Sequence, residues 1–423
     1  MEKWHDDLIK IDHQEYLYRI SYYDMHWNAA REWLKKHRPF QPDVKEPWKD
    51  RGFGCSSVRT WKWVGRNFDF FYNESVDVIV QTCYHASNAG FNSIGIASCN
   101  PDFNSHRMQE LTEEEYEILP FALIDGINEK GVACNVNVVP ARDFYPRTKE
   151  GDAAWSNREI DINPGAPELY YQFVARFVLD NAESAEHAIE LLKNQHIVNH
   201  IDGVRVDYDG IEKGGMELHL MISDELNTFI VEIVPDNDGG NHLLITSARD
   251  RSGSKFVPIM TNYYRTVGGF DTFNVSPHAV GIERFKILKS GLSDMEKRTR
   301  FPKLEDVVKL MEQVKYTACY SSDTELEKYW FSDLSCGKFN YDFEYAVDYF
   351  KSHSEKATEL KKYMDDNKQC IEDKYRQKGL DAPWITVHTN VFDLAEKSMH
   401  LWVQEDYEHE IKEFKVTPKE TLK

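Results

Sequence analysis

Gly54-Cys55-Ser56-Ser57-Val58-Arg59-Thr60-Trp61-Lys62-Trp63-Val64-Gly65-Arg66-Asn67-Phe68-Asp69-Phe70 is the stretch on which the reading of this chain turns. Residues 56–61 and 63–71 are rich in Val, Trp and Phe and read as two strands. A cysteine stands at their head. Taken alone, Cys55 is either a small buried hydrophobe or a nucleophile, and nothing in the run itself decides between them.

The strand texture continues downstream through 76–83, 92–98, 121–125 and 132–139, each bounded by Gly or Asn turn signals. A helical region follows over 166–193, with Asn181-Ala182-Glu183-Ser184 as a turn between two helices. Strands resume at 218–223, 228–234 and 242–246, and residues 385–390 and 399–405 read as a closing hairpin. Between them, 345–375 is charged and helical, with Phe350, Ala357, Met364 and Ile371 forming a narrow apolar seam. Upstream, Leu8, Ile11, Tyr16, Ile20, Tyr23 and Trp27 recur at loosely helical spacing, so 7–37 is expected to be helical. The stretch from Arg38 to Pro47, carrying Pro39, Pro42 and Pro47, is a linker and the clearest boundary in the chain. Strands and helices in blocks point to an α+β layered fold and away from a doubly wound sheet.

The order of motifs resembles the choloylglycine (bile salt) hydrolase and penicillin V acylase family of N-terminal-nucleophile (Ntn) hydrolases. In that family a cysteine begins the mature chain and a Gly-Arg-Asn-Leu-Asp type motif follows on the second strand; here Cys55 and Gly65-Arg66-Asn67-Phe68-Asp69 stand in that order. Asp125-Gly126-Ile127-Asn128-Glu129-Lys130-Gly131 resembles a family turn that leads into the strand ending Val136-Asn137-Val138-Val139-Pro140. Leu218-His219-Leu220 and Ile230-Val231-Glu232 resemble its central hairpin, and Met260-Thr261-Asn262 and Glu283-Arg284-Phe285 two further motifs. The resemblance implies a four-layer αββα sandwich with two stacked antiparallel sheets. It implies hydrolysis of a linear amide, in an N-acyl substrate of the bile salt, penicillin V or N-acyl amino acid type, with catalytic residues Cys55, Arg66, Asp69, Asn137, Asn262 and Arg284. An acyltransferase on the same scaffold, and a non-catalytic binding protein with an uncut leader, are the rival readings.

The chemistry has its own logic. A thiol of pKa about 8.5 is only partly ionised at neutral pH. A free α-amine, with pKa about 7.7–8.0, is well matched to act as general base there. A cysteine that becomes a chain terminus carries both groups on one residue and needs no histidine. Arg66 near the sulfur would favour thiolate, and Asp69 would hold the amine. Since strand side chains alternate, both can serve one site only if the strand bulges or turns near Asn67. Asn137 and Asn262 are the candidate oxyanion donors, with Asn135 as a same-face substitute for Asn137. Arg284 would support the nucleophile's electrostatics.

Bile salt hydrolases remove little more than the initiator Met, whereas here residues 1–54 precede the cysteine. The related isopenicillin N acyltransferases carry longer leaders ending at Gly-Cys. The expectation is therefore a helical prosegment, residues 1–54, that covers the site until autocleavage between Gly54 and Cys55, and a catalytic domain, residues 55–423, with a charged helical insertion near 345–378.

Composition narrows the alternatives. The formal charge is 51 − 71 = −20, which argues against a broad nucleic-acid surface and against an anionic membrane. No apolar run reaches the roughly 18–20 residues that span a bilayer. Seven scattered cysteines without a C-x-x-C pair read as reduced thiols of a cytoplasmic protein. Sixteen histidines form no metal-ligand spacing, and His85, His219 and His388 read as core or edge residues. No cofactor and no metal are expected; the partner is a small-molecule substrate, and a homo-oligomer is left open.

Overall fold

The computed structural model describes residues 4–11, 17–37, 54–71, 76–99, 107–139, 159–160, 165–198, 200–201, 204–205, 217–235, 241–246, 257–262, 282–315, 384–403 and 412–419. The linker from 38 and the charged segment near 345–378 lie outside these residues.

The chain opens with β1 (Ile9–Lys10), β2 (Leu17–Tyr22) and helix α1 (Trp27–His37). Then come β3 (Gly54–Thr60), β4 (Trp63–Phe71), β5 (Val76–Thr82), β6 (Ser93–Cys99), helix α2 (Glu113–Ile118), β7 (Leu123–Asn128), β8 (Ala133–Val139) and β9 (Glu159–Ile160). A short strand β10 (Glu168–Tyr170) precedes helices α3 (Val174–Asn181) and α4 (Ala185–Lys193). Next are the small strands β11 (His196–Val198), β12 (His200–Ile201) and β13 (Val204–Arg205), the long β14 (Glu217–Ser223), β15 (Thr228–Pro235) and β16 (Asn241–Thr246), and β17 (Ile259–Met260). Helices α5 (Ile282–Arg298) and α6 (Leu304–Glu312) lead to β18 (Trp384–Asp393), β19 (Ser398–Val403) and β20 (Lys412–Lys415).

Two sheets organise these elements. A ten-stranded sheet runs β1-β2-β5-β6-β7-β8-β14-β15-β16-β9, and a six-stranded sheet runs β17-β3-β4-β18-β19-β20. Three apolar clusters define the layers. One holds Ile79, Ile94, Ile96, Ile127, Met221 and Ile230 from the larger sheet against Val64, Phe392, Met399 and Leu401 from the smaller. A second packs the outer face of the larger sheet on α3 and α4, through Val174, Val178, Leu179 and Ala188. A third packs the smaller sheet on α5 and α6, through Phe285, Leu288, Val307 and Met311. Helix, sheet, sheet, helix is the expected αββα sandwich. Close approach of α6 depends on Gly65, where a Cβ would sit 2.9 Å from Met311 Cγ and 3.0 Å from Val307 Cγ1. Gly131 turns β7 into β8 at φ 84°, a conformation that side chains with a Cβ resist.

Three expectations need correction. The stretch 7–37 is not continuously helical: Leu17–Tyr22 is a strand, and only Trp27–His37 is α-helix. Leu17, Tyr18, Ile20 and Tyr22 are buried in the sheet, and pairing with β5 overrides the loose helical spacing. That pairing is parallel, so the larger sheet is not wholly antiparallel. A parallel neighbour requires a long crossover, and the chain from Tyr22 to Val76 provides one. The predicted helix over 166–193 begins late, since Glu168–Tyr170 is a strand paired with His196–Val198; the turn between α3 and α4 stands where expected.

Candidate active site

Cys55 heads β3, between β17 and β4. Alternation sorts its neighbourhood onto two faces. Cys55 and Ser57 pair across with Phe68 and Arg66, and this face looks into the sandwich. Gly54 and Ser56 pair with Asp69 and Asn67, and that face looks toward the helices. Asn67 accordingly donates from Nδ2 to the carbonyl of Met311 on α6, at 3.0 Å.

From the inner face, Arg66 approaches the sulfur, with Nη2 3.7 Å from Cys55 Sγ. The same Nη2 donates to the carbonyl of Val136 at 3.1 Å, and Nη1 lies 3.0 Å from Asp125 Oδ2. From the outer face, Arg284 of α5 donates through Nη1 to the Cys55 carbonyl and, at 2.9 Å, to Ser56 Oγ. Its Nη2 donates to Asn262 Oδ1 at 2.8 Å. Asn262 follows β17, and its Oδ1 also accepts the backbone N–H of Cys55 at 2.7 Å. The Asn262 side chain also favours the ionised form of the thiol.

Asp69 sits on the outer face, across from Gly54. Its Oδ1 accepts from the Thr386 hydroxyl at 2.7 Å, and its Oδ2 is 3.6 Å from Arg284 Nη1. Oδ2 is buried and has no hydrogen bond among the described residues. Arg66 and Asp69 both lie near Cys55, but not through the expected bulge. The β3–β4 register runs unbroken past Asn67. The two residues reach Cys55 from opposite faces, and the irregularity lies instead in β18, between Thr386 and His388.

Asn137 stands on β8 of the larger sheet, facing β3 and β17 across the sandwich. Its Nδ2 donates to the carbonyls of Thr261, at 3.0 Å, and Met260, at 3.4 Å, and its Oδ1 faces Ser57 Oγ at 3.5 Å. It thus holds the strand that presents Asn262, with its amide nitrogen engaged there. Asn135 is buried with neither amide atom hydrogen-bonded among the described residues; it pairs with Asp125 in register.

The whole site is buried. Cys55 is 2% exposed, and Arg66, Asp69, Asn137 and Asn262 are at 0%. Burial pushes the Cys55 thiol up, and Asp69 adds to that push; Arg66, Arg284 and the Asn262 side chain pull the other way without prevailing. Burial likewise raises the Asp69 carboxyl, against Arg284, Thr386 and Arg66. The Cys55 side chain is thereby held as a neutral thiol.

Sequence reasoning missed Thr386, Ser56 and the carboxylates behind Arg66. Asp125 was visible as the head of the Asp-Gly-Ile-Asn turn; Thr386 gave no signal. His388 and His219 are buried, as expected, while His85 is exposed in the turn after β5. Among the described residues, no group of three or more His, Cys, Asp or Glu is placed to hold a metal, and no helix is long and apolar enough to cross a membrane.

Comparison with known proteins bears on this site. The family described as linear amide C–N hydrolases, choloylglycine hydrolase family, matches residues 55–238, starting at the cysteine. No curated protein matches the chain in sequence. Among solved structures, a mutant conjugated bile acid hydrolase from Clostridium perfringens is similar at 14% identity and TM-score 0.43, covering 86% of this chain and 98% of that one. Penicillin V acylase from Agrobacterium tumefaciens is similar at 15% identity and TM-score 0.37, covering 82% of each chain.

Proposed function

With residues 55–238 matching the choloylglycine hydrolase family of linear amide C–N hydrolases, we propose that this chain cuts itself between Gly54 and Cys55 and then hydrolyses N-acyl amides through a thioester on Cys55. The observation that carries this reading is the buried Asp69 Oδ2, which has no hydrogen bond among the described residues and belongs to the residue paired with Gly54. A buried carboxylate oxygen left without a donor is costly. Scission of the Gly54–Cys55 peptide creates a free α-amine beside it, whose N–H supplies that donor.

In the self-cleavage step the Cys55 sulfur attacks the Gly54 carbonyl carbon, and the carbon–nitrogen bond breaks as the nitrogen takes the thiol proton. Water then attacks the thioester, releasing a Gly54 carboxylate and restoring the thiol. In turnover the freed amine accepts the thiol proton, the sulfur adds to the substrate carbonyl, and the leaving amine departs with that proton. Water completes the cycle, releasing the carboxylic acid. The Asn262 side-chain amide, tied through its Oδ1 to the Cys55 backbone N–H, is the donor to the developing oxyanion, and Asn137 positions it through Thr261. Arg66 favours thiolate, and Arg284 fixes the Cys55 carbonyl.

N-terminal sequencing and intact mass of the purified protein, combined with a panel of small N-acyl amides, test the reading. A chain beginning at Cys55 with turnover of at least one amide supports it. Uncut protein that hydrolyses amides as fast as the cut form would overturn it. An added amine acceptor separates hydrolysis from acyl transfer by its products.

A further inference from the structure

Behind Arg66, on the side away from the sulfur, lies a fully buried histidine. His388 Nδ1 is 2.5 Å from Asp77 Oδ2, and its Nε2 is 3.4 Å from Asp125 Oδ2. Arg66 Nη1 meets the same Asp125 oxygen at 3.0 Å, 3.4 Å from His388 Nε2. His388, Asp125 and Arg66 are at 0% exposure and Asp77 at 2%. The described groups facing the ring are Asp77 from β5, Asp125 from β7 and Arg66 and the Phe68 ring from β4, with Asp69 farther along β4.

Two features show that this is a built arrangement. First, the imidazole has a carboxylate at each nitrogen, and only the imidazolium can donate to both. Burial works against that charge, but the two aspartates outweigh it and push the pKa up to about 9. Second, the β18 bulge turns the ring inward. Thr386 pairs with Asp69 on the outer face, and strict alternation would send His388 out as well. The extra residue, Val387, lets His388 pair with Phe68 on the inner face instead.

Extending the Cys55 reading above, we propose that His388 is a positioning residue for that chemistry: its positive charge balances the second of two buried carboxylates, so that Arg66 keeps a net positive field on the sulfur. With the imidazolium present, two cations face two anions, and Arg66 is the member nearest the thiol. Without it, Asp77 and Asp125 leave one net negative charge around Arg66 and cancel its field. The cluster also holds the guanidinium in place, since Arg66 anchors through Asp125.

The test is the Cys55 titration, read from ultraviolet thiolate absorbance as the difference from the same protein carrying Cys55→Ser. His388→Gln should move the titration up by about one pKa unit, roughly a tenfold loss of thiolate at a given lower pH. Asp77→Asn, which removes the opposite charge, should move it down. His388→Gln combined with Asp77→Asn should return it close to the parent value. A merely structural role moves both single variants the same way or neither, and either result overturns the proposal. If His388→Gln does not fold, an unmoved or raised titration in Asp77→Asn overturns it equally. A protein that shows these shifts yet neither cuts itself nor hydrolyses amides would sink the hydrolase reading and leave this one standing.

Discussion

At Cys55 two forces oppose each other. Burial favours the neutral thiol, and Arg66, Arg284 and Asn262 favour thiolate; burial wins. Asn262 joins the Cys55 backbone nitrogen and Arg284 in one side chain, so its removal should be felt in the chemical step. Asn262→Ala is expected to lower kcat by about 10²–10³, as loss of one oxyanion donor does, measured in steady-state turnover of an N-acyl amide. A pH effect follows from His388. Its folded pKa, about 9, is raised above the ordinary value of 6.5. Its contribution to stability is therefore fully present below about pH 6.5 and is lost as pH rises through about 9. Thermal unfolding of the parent should show Tm falling across that window, with a smaller fall in His388→Gln.

At the scale of elements, the site depends on how closely α6 lies on β4. Gly65 leaves that space, and Asn67 next to it ties the strand to Met311. Gly65→Ala places a methyl within 2.9 Å of Met311 Cγ. It is expected to destabilise the fold by about 1–3 kcal/mol, the usual cost of overpacking, read as a lower urea midpoint at unchanged slope. The strand β2 is a second such element. Ile20 is 1% exposed in the outer core of the larger sheet, and Ile20→Ala should cost about 2–5 kcal/mol. The same urea titration checks it, and the cost should appear even though residue 20 precedes the proposed cut.

For the molecule as a whole, the N-terminal segment is part of the sandwich. Beyond the six-residue pairing of β2 with β5, the Tyr22 hydroxyl donates to the Tyr116 carbonyl at 2.9 Å, His26 lies 2.7 Å from Glu117, and Trp27 packs edge-on against Phe121. Cutting at Gly54–Cys55 therefore should not release it. Processed protein is expected to run as one species on native size exclusion and as two chains under denaturing conditions. Separate, late elution of the small fragment under native conditions would show that these contacts do not hold it.

Local pattern alone placed the strands flanking Cys55, the central hairpin of β14 and β15 and the closing pair of β18 and β19, because period-two apolar runs between turn residues need no partner to be recognised. The order of Cys55, Arg66, Asp69, Asn262 and Arg284 was equally legible, since each lies in a short motif. What the sequence could not decide was where distant strands pair. Ile20 and its neighbours fit a loose helical spacing until β5 takes them as a strand, and Arg66 and Asp69 seem to need a bent strand until the site is seen to straddle both faces of a straight one. The bulge at Val387 and the inward turn of His388 arise the same way: long-range register decides which face a side chain takes, and a one-residue slip in it leaves no mark on local composition.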